Sequence, residues 1–164
     1  MDITPLQKAI HELLDSAAMV ADSGETVASP DGEWNADQIL AHVSVVTATT
    51  ITTVAAVASG ANSTYDNRIA LDTWTLGRVV AHAGGQAGLR ERIRDQGDAL
   101  CALCAMGVSE TELDTQVPTL LLSNDTVMVD QLLPLRDIIG GLADVELPNH
   151  AKQLRSLLPR AAEH

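Results

Sequence analysis

Glu146 and His150 stand four residues apart in the stretch Asp144-Val-Glu-Leu-Pro-Asn-His-Ala-Lys-Gln-Leu154. In a helix that interval puts both side chains on one face, about one turn apart. Leu147, Leu154 and Leu157 fall on the same side, so the pair points toward a core. A carboxylate and an imidazole held this way can ligate one metal ion. Two ligands rarely suffice. The third candidate is His42, far earlier in the chain, on another apolar helical face. Two ligands on one helix and one on a facing helix is how metal sites are built inside helical bundles. Three protein ligands leave positions open for water or a substrate atom. Taken singly, each residue has a plainer reading, as a surface glutamate or a core histidine with its hydrogen bonds satisfied.

The other reactive side chains carry weaker signals. His82 falls in a later helix, where a core or surface role competes with that of a fourth ligand. His11 and His164 read as solvent-exposed. Cys101-Ala-Leu-Cys104 is a Cys-x-x-Cys late in a helix with no second pair. A zinc knuckle needs four ligands, and a thioredoxin-type pair opens a helix after a strand, so packing is the expectation and redox sensing the rival. Arg90, Arg92 and Arg94 read as a solvated helix face. Neither a glycine-rich phosphate loop nor a Gly-x-Ser-x-Gly elbow is present.

The elements that must position these groups are mostly helices. Thr4-Pro5 reads as a cap and a first-turn proline, and Leu6, Ile10, Leu13, Leu14, Ala17 and Val20 repeat at helical spacing to about Ala21. Ser23-Gly24 ends that helix, and Ser29-Pro30-Asp31-Gly32 forms a turn. Trp34 anchors a second helix, with Asn35 as its N-cap and Gly60 as its end. Ile39, His42, Val43, Val46, Thr53 and Val57 share its inner face. Its threonines have poor helix propensity, so packing has to stabilise it. Residues 61–71 read as a polar connection. Asp72 caps a third helix from about Trp74 to Met106, with Gly84-Gly85 as a kink inside it. Residues 108–115 read as a loop.

Val117–Leu122 and Thr126–Val129 flank Ser123-Asn124-Asp125, the pattern of a short β-hairpin. Asp130 is then expected to cap a helix to about Ile139, with Gly140-Gly141 interrupting it. A last helix runs from Asp144 to Leu158. With Asp144 as its cap, Pro148 lies in the first turn, where backbone N–H groups lack helical partners.

The chain has 164 residues, enough for one domain, 1–164, with a real core. It is 46% apolar, but lacks Phe and has only Trp34, Trp74 and Tyr65 as aromatics. Small side chains favour closely packed helices. A net charge of −12 argues against nucleic acid and anionic membranes as partners. The N-terminus lacks the basic-then-apolar run of a signal peptide, and Ile39–Ala58 is too polar for a convincing membrane span. Two cysteines give no disulfide framework, so a cytoplasmic setting is expected.

Trp34-Asn-Ala-Asp-Gln-Ile-Leu-Ala-His42-Val resembles the start of the second helix in the DinB/YfiT-like superfamily. More narrowly, it resembles the metal-binding domain of mycothiol-dependent maleylpyruvate isomerases. That domain has a Trp eight residues before a metal-binding His, and a late Glu-x-x-x-His followed by a small residue and a Leu. Here the late motif reads Glu146-Leu-Pro-Asn-His150-Ala-Lys-Gln-Leu154. Many superfamily members have His where Glu146 stands, whereas the isomerase branch has Glu. The resemblance spans nearly the whole chain in helix order. It implies an all-α, four-helix bundle, here with a short hairpin before the last helices. It also implies a divalent ion, zinc or nickel, on His42, Glu146 and His150, with a low-molecular-weight thiol such as mycothiol as cofactor. Pro148 between the ligands departs from the isomerases, and so does the lack of the second, substrate-binding domain that follows there. The isomerase reaction is therefore not carried over. The expectation is a metal-dependent thiol transferase, isomerase or hydrolase acting on a small molecule. The rival is a non-catalytic helical binding protein, possible as a homodimer, that keeps the fold.

Overall fold

The computed structural model describes residues 1–24, 29 and 32–159. Pro30 and Asp31 of the expected turn, and His164, lie outside them. Helix α1 spans Thr4–Ser23 and buries Leu6, Ile10, Leu13, Leu14, Ala17 and Val20. Thr4 is its first helical residue rather than its cap. Ile3 occupies the cap position with no side-chain bond, and the Asp2 carboxylate accepts from the Thr4 amide instead. Gly24 ends the helix in the left-handed region, where a side chain would strain the backbone.

Helix α2 spans Ala36–Ala58. Asn35 caps it through a reciprocal box with Gln38, which satisfies two otherwise orphaned amides. The threonines are tolerated because Thr47, Thr49, Thr50, Thr52 and Thr53 each donate back to a carbonyl one turn earlier. Its expected inner face is buried throughout. Among the described residues α2 is the one helix long and apolar enough to cross a membrane. Sixty-one per cent of its apolar window is buried inside the protein.

The stretch read as a polar connection holds a two-residue strand, β1 (Tyr65–Asp66), and a 3-10 turn over Arg68–Leu71. Asp72 caps the next helix as expected, accepting from the Thr75 amide. The expected single helix to Met106 is two: α3, Thr73–Ala83, and α4, Gln86–Met106. Gly84 and Gly85 both have positive φ, +75° and +101°, so the pair stops one helix and redirects the chain into the next. The expected loop after α4 contains a one-turn helix, α5 (Glu110–Leu113), closed by a Ser109–Glu112 capping box.

The hairpin is present and longer than its sequence pattern suggested. Strand β2, Gln116–Ser123, pairs antiparallel with β3, Thr126–Pro134, and β1 adds in parallel to β2. Asn124 and Asp125 turn the chain with φ of 47° and 59°, as the tightest hairpin turns require. Asp130 lies within β3 and caps nothing. The ladder carries the strand on to Pro134, and α6 begins at Leu135. Among the described residues the protein is thus mostly helical, and the expected short hairpin is widened by β1 into a small three-stranded sheet.

Gly140-Gly141 does not break the last helix either. Helix α6 (Leu135–Gly141) runs through a π turn (Leu142–Glu146) straight into α7 (Leu147–Ser156). Asp144 sits inside the π turn, not at a cap. The Leu147 amide reaches back five residues to the Leu142 carbonyl. That wider turn accommodates Pro148, whose ring would meet the Asp144 carbonyl in an α turn. Helix α7 packs on α1, fixed by Arg155, which donates to Ser16 and Glu12 of α1. Leu147, Leu154 and Leu157 are buried, as the periodicity requires.

Candidate metal centre

His42 lies at the second turn of α2, Glu146 ends the π turn and His150 follows in α7. The fold brings the three together, with their ligand atoms all within 4.8 Å of one another. Glu146 Oε1 is 2.8 Å from His42 Nε2 and 3.2 Å from His150 Nε2. Donors bonded at about 2.0–2.2 Å to one tetrahedral ion stand roughly 3.3–3.5 Å apart. The two spacings to Glu146 lie somewhat below that and the group as a whole spans up to 4.8 Å, while a nitrogen–oxygen–nitrogen donor set suits zinc or nickel. A His42–Glu146–His150 group of this kind can hold a metal ion.

The surroundings decide which nitrogens face the centre. His42 Nδ1 is 2.8 Å from the Ala70 carbonyl. A carbonyl only accepts, so Nδ1–H donates and Nε2 turns inward. His150 Nδ1 donates to Gln153 Oε1 at 2.9 Å, which also leaves its Nε2 inward. Partners behind the ligands commonly fix the tautomer of metal-binding histidines. Here the 3-10 turn supplies one partner and α7 the other. Burial disfavours charge on Glu146, but hydrogen bonds from His150 and His42, made when each Nε2 also carries a proton, outweigh it. They hold the carboxyl well below the usual carboxylate range, so Glu146 is ionised.

The three side chains are not equally enclosed. His42 is 3% exposed, His150 14% and Glu146 36%. They border a cleft of about 560 Å³ whose rim includes Glu33, Trp34, Asn67 and the hairpin tip, Ser123 to Asp125. Trp34 does more than anchor α2, because its ring lies 4.8 Å from His42 and 6.4 Å from His150. Asn67 clamps the hairpin in place. Its amide donates to the Leu122 carbonyl and its oxygen accepts from the Leu122 amide, both at 2.9 Å.

Sequence spacing missed several of these partners. Gln153, one turn beyond His150, was detectable as a helical neighbour. Ala70 acts through its backbone, and Asn67 is far from the ligands in sequence, so neither left a local signal. His82 is exposed on α3 beside Arg78 and takes no part in the ligand group. His11 is exposed, as expected. Arg94 is solvated, but Arg90 and Arg92 are half-buried, and Arg90 Nε is enclosed without a hydrogen-bond partner among the described residues. Cys101 and Cys104 are free and buried. Burial pushes both thiols up, Cys104 to about 11, which works against thiolate chemistry there.

Fold and site together define a mostly helical protein whose helices converge a His–Glu–His group on an open cleft. No family model, curated protein or solved structure matches the chain.

Proposed function

We propose that this protein is a divalent-metal-binding member of the DinB/YfiT-like superfamily and a metal-dependent enzyme. In this reading α1, α2, α4 and the α6–α7 segment form a four-helix bundle. The pairwise packing of α1 on α4 and α7, and of α2 on α4 and α7, supports that arrangement. The observation that carries the reading is the convergence of His42, Glu146 and His150 at the wall of an open cleft. A purely structural trio has no need of that opening.

When bound, zinc or nickel lowers the pKa of a coordinated thiol or water and so supplies a nucleophile near neutral pH. The chain's own residues do the rest. His42 and His150 present inward nitrogens because Ala70 and Gln153 take their outward protons. Trp34 shields one side of both rings. The cleft leaves room for a thiol cofactor such as mycothiol and for a small-molecule substrate undergoing transfer, isomerisation or hydrolysis. The setting in this reading is cytoplasmic, which two buried free thiols suit. The net charge of −12 weighs against nucleic-acid partners.

One observation favours a second reading. Glu146 Oε1 lies within hydrogen-bond distance of both inward Nε2 atoms, so with protons on those nitrogens the trio is also consistent as a hydrogen-bonded set. A non-catalytic binding protein, monomeric or dimeric, would then retain the fold. Metal content by mass spectrometry after exposure to zinc and nickel tests the choice. About one ion per chain in the wild type, lost in both His42→Ala and Glu146→Gln, is the expected result. Equal occupancy in all three would remove these residues from any metal site.

A further inference from the structure

Beside the polar cleft lies a second compartment of about 440 Å³. Val46, Leu121, Met128, Leu133, Ile138 and Val145 give it an apolar wall. The two spaces are neighbours, with Asn67, Leu122, Ser123, Glu146 and Asn149 bordering both. Among the described residues neither lining contains a lysine or arginine, whereas Glu33, Asp125, Asp137 and Glu146 supply four carboxylates.

Gly141 also borders the second space and is hard to explain otherwise. Its φ of −58° and ψ of −40° are ordinary for a helix, so the backbone does not require glycine. A Cβ built there meets nothing within 4 Å, so no neighbour requires it to be small. Glycine is nevertheless the poorest helix former after proline. What it provides at this position is free volume. The π turn that follows is a rare geometry frequent at functional sites. It gives Val145 to the apolar space and Glu146 to both spaces.

We propose that this compartment binds the uncharged alkyl or aryl portion of a small organic substrate, whose polar end reaches Glu146. The volume falls in the range of small-ligand pockets, which combine apolar walls with few polar groups. Tyr65 is one such group. Thr50 gives its hydroxyl proton to the Val46 carbonyl, so the Tyr65 hydroxyl donates to Thr50 and keeps lone pairs to accept from a ligand. In the metal-free protein an anionic head meets four carboxylates and no lysine or arginine among the described lining residues, so repulsion and desolvation disfavour it there. What happens at the polar end rests on the function proposed above, whereas apolar binding does not.

The test uses the full chain, zinc-loaded and EDTA-treated, with 1-hexanol and hexanoate followed by amide NMR shifts. Hexanol is expected to give saturable shifts at Gly141, Val145 and Met128 in both metal states, with hexanoate at least tenfold weaker in the EDTA-treated protein. Gly141→Leu, which fills the space, should weaken hexanol at least tenfold, with Gly141→Ala in between. Should Gly141→Leu fail to fold, Met128→Asp on the exposed hairpin carries the same expectation. The proposal is overturned by unsaturable hexanol shifts, by equal binding of hexanoate to the EDTA-treated protein, or by undiminished binding in the folded variant. A dimer dissolved by Met128→Asp would also overturn it, because a second copy would then cover the face. Hexanol binding in a protein that takes up no zinc would sink the metal reading alone.

Discussion

Helix α2 and the α6–α7 segment hold the same site by opposite means. Helix α2 is regular, capped at its start, and buried over most of its length. It holds His42 at 3% exposure against a fixed backbone carbonyl. The α6–α7 segment contains two glycines, a π turn and a proline within nine residues of one another, Gly140 to Pro148. It holds Glu146 and His150 at the cleft wall, where both remain partly exposed. One member of the trio is therefore part of the core, and two belong to an irregular element that can adjust. Core and site should separate when α7 is altered, and fail together when α2 is.

The largest expected effect is that of His42→Ala. It leaves a cavity between α2 and α7, strands the Ala70 carbonyl and takes one partner from Glu146. Losses of this kind cost about 2–4 kcal/mol. Urea unfolding of the metal-free protein should show a loss of that size, alongside loss of bound metal. His150→Ala comes next for function but not for stability. Zinc affinity should fall by ~100-fold or more, while metal-free stability changes by less than about 1 kcal/mol, as for a partly exposed side chain. If both variants destabilise equally, the contrast between the two elements is wrong.

The contrast also shows what was legible in the sequence. Helical periodicity placed α1, α2 and the buried face of α7, because each repeats apolar residues at the spacing its packing demands. The ligand trio was legible for the same reason. The breakers were harder to interpret. Gly84-Gly85 and Gly140-Gly141 are the same dipeptide, yet the first ends a helix with positive φ and the second lies within one. Nothing local distinguishes them. Tertiary packing on either side decides whether glycine's freedom is used. Pro148 prompted a helix start at Asp144, when the chain instead widens one turn and continues. Asp130 looks like a cap, but pairing of β3 with β2 overrides that propensity. The β1 strand could not be read at all, because two residues acquire strand character only from Thr119 and Leu120 beside them.

Acid unfolding sharpens the comparison on the adjustable side. The Glu146 carboxyl lies below its ordinary value of 4.5 in the folded protein. Its contribution to stability is therefore present above pH 4.5. It is lost progressively as pH falls from there toward the lower folded value. Thermal unfolding of the metal-free wild type should lose more between pH 6 and pH 3 than Glu146→Gln does, by about 2–5 °C. The partial exposure of Glu146 keeps the difference modest. Parallel acid limbs in the two proteins would mean that the imidazole contacts contribute nothing in solution.

The smallest effect, and one of opposite sign, belongs to Gly140→Ala. Gly140 is helical, and a Cβ there meets nothing within 4 Å. Unlike Gly141, it does not border the apolar compartment. Alanine should stabilise the protein by roughly 0.5–1 kcal/mol, mainly by restricting the unfolded chain and favouring the helix. Urea titration reads that gain, and zinc affinity measured on the same samples reads its cost to the site. An unchanged affinity would show that the π turn alone sets the positions of Glu146 and His150. A fall in affinity with the gain in stability would show that the ligands need a loosened helix ahead of them, and that the adjustable element works through its glycines.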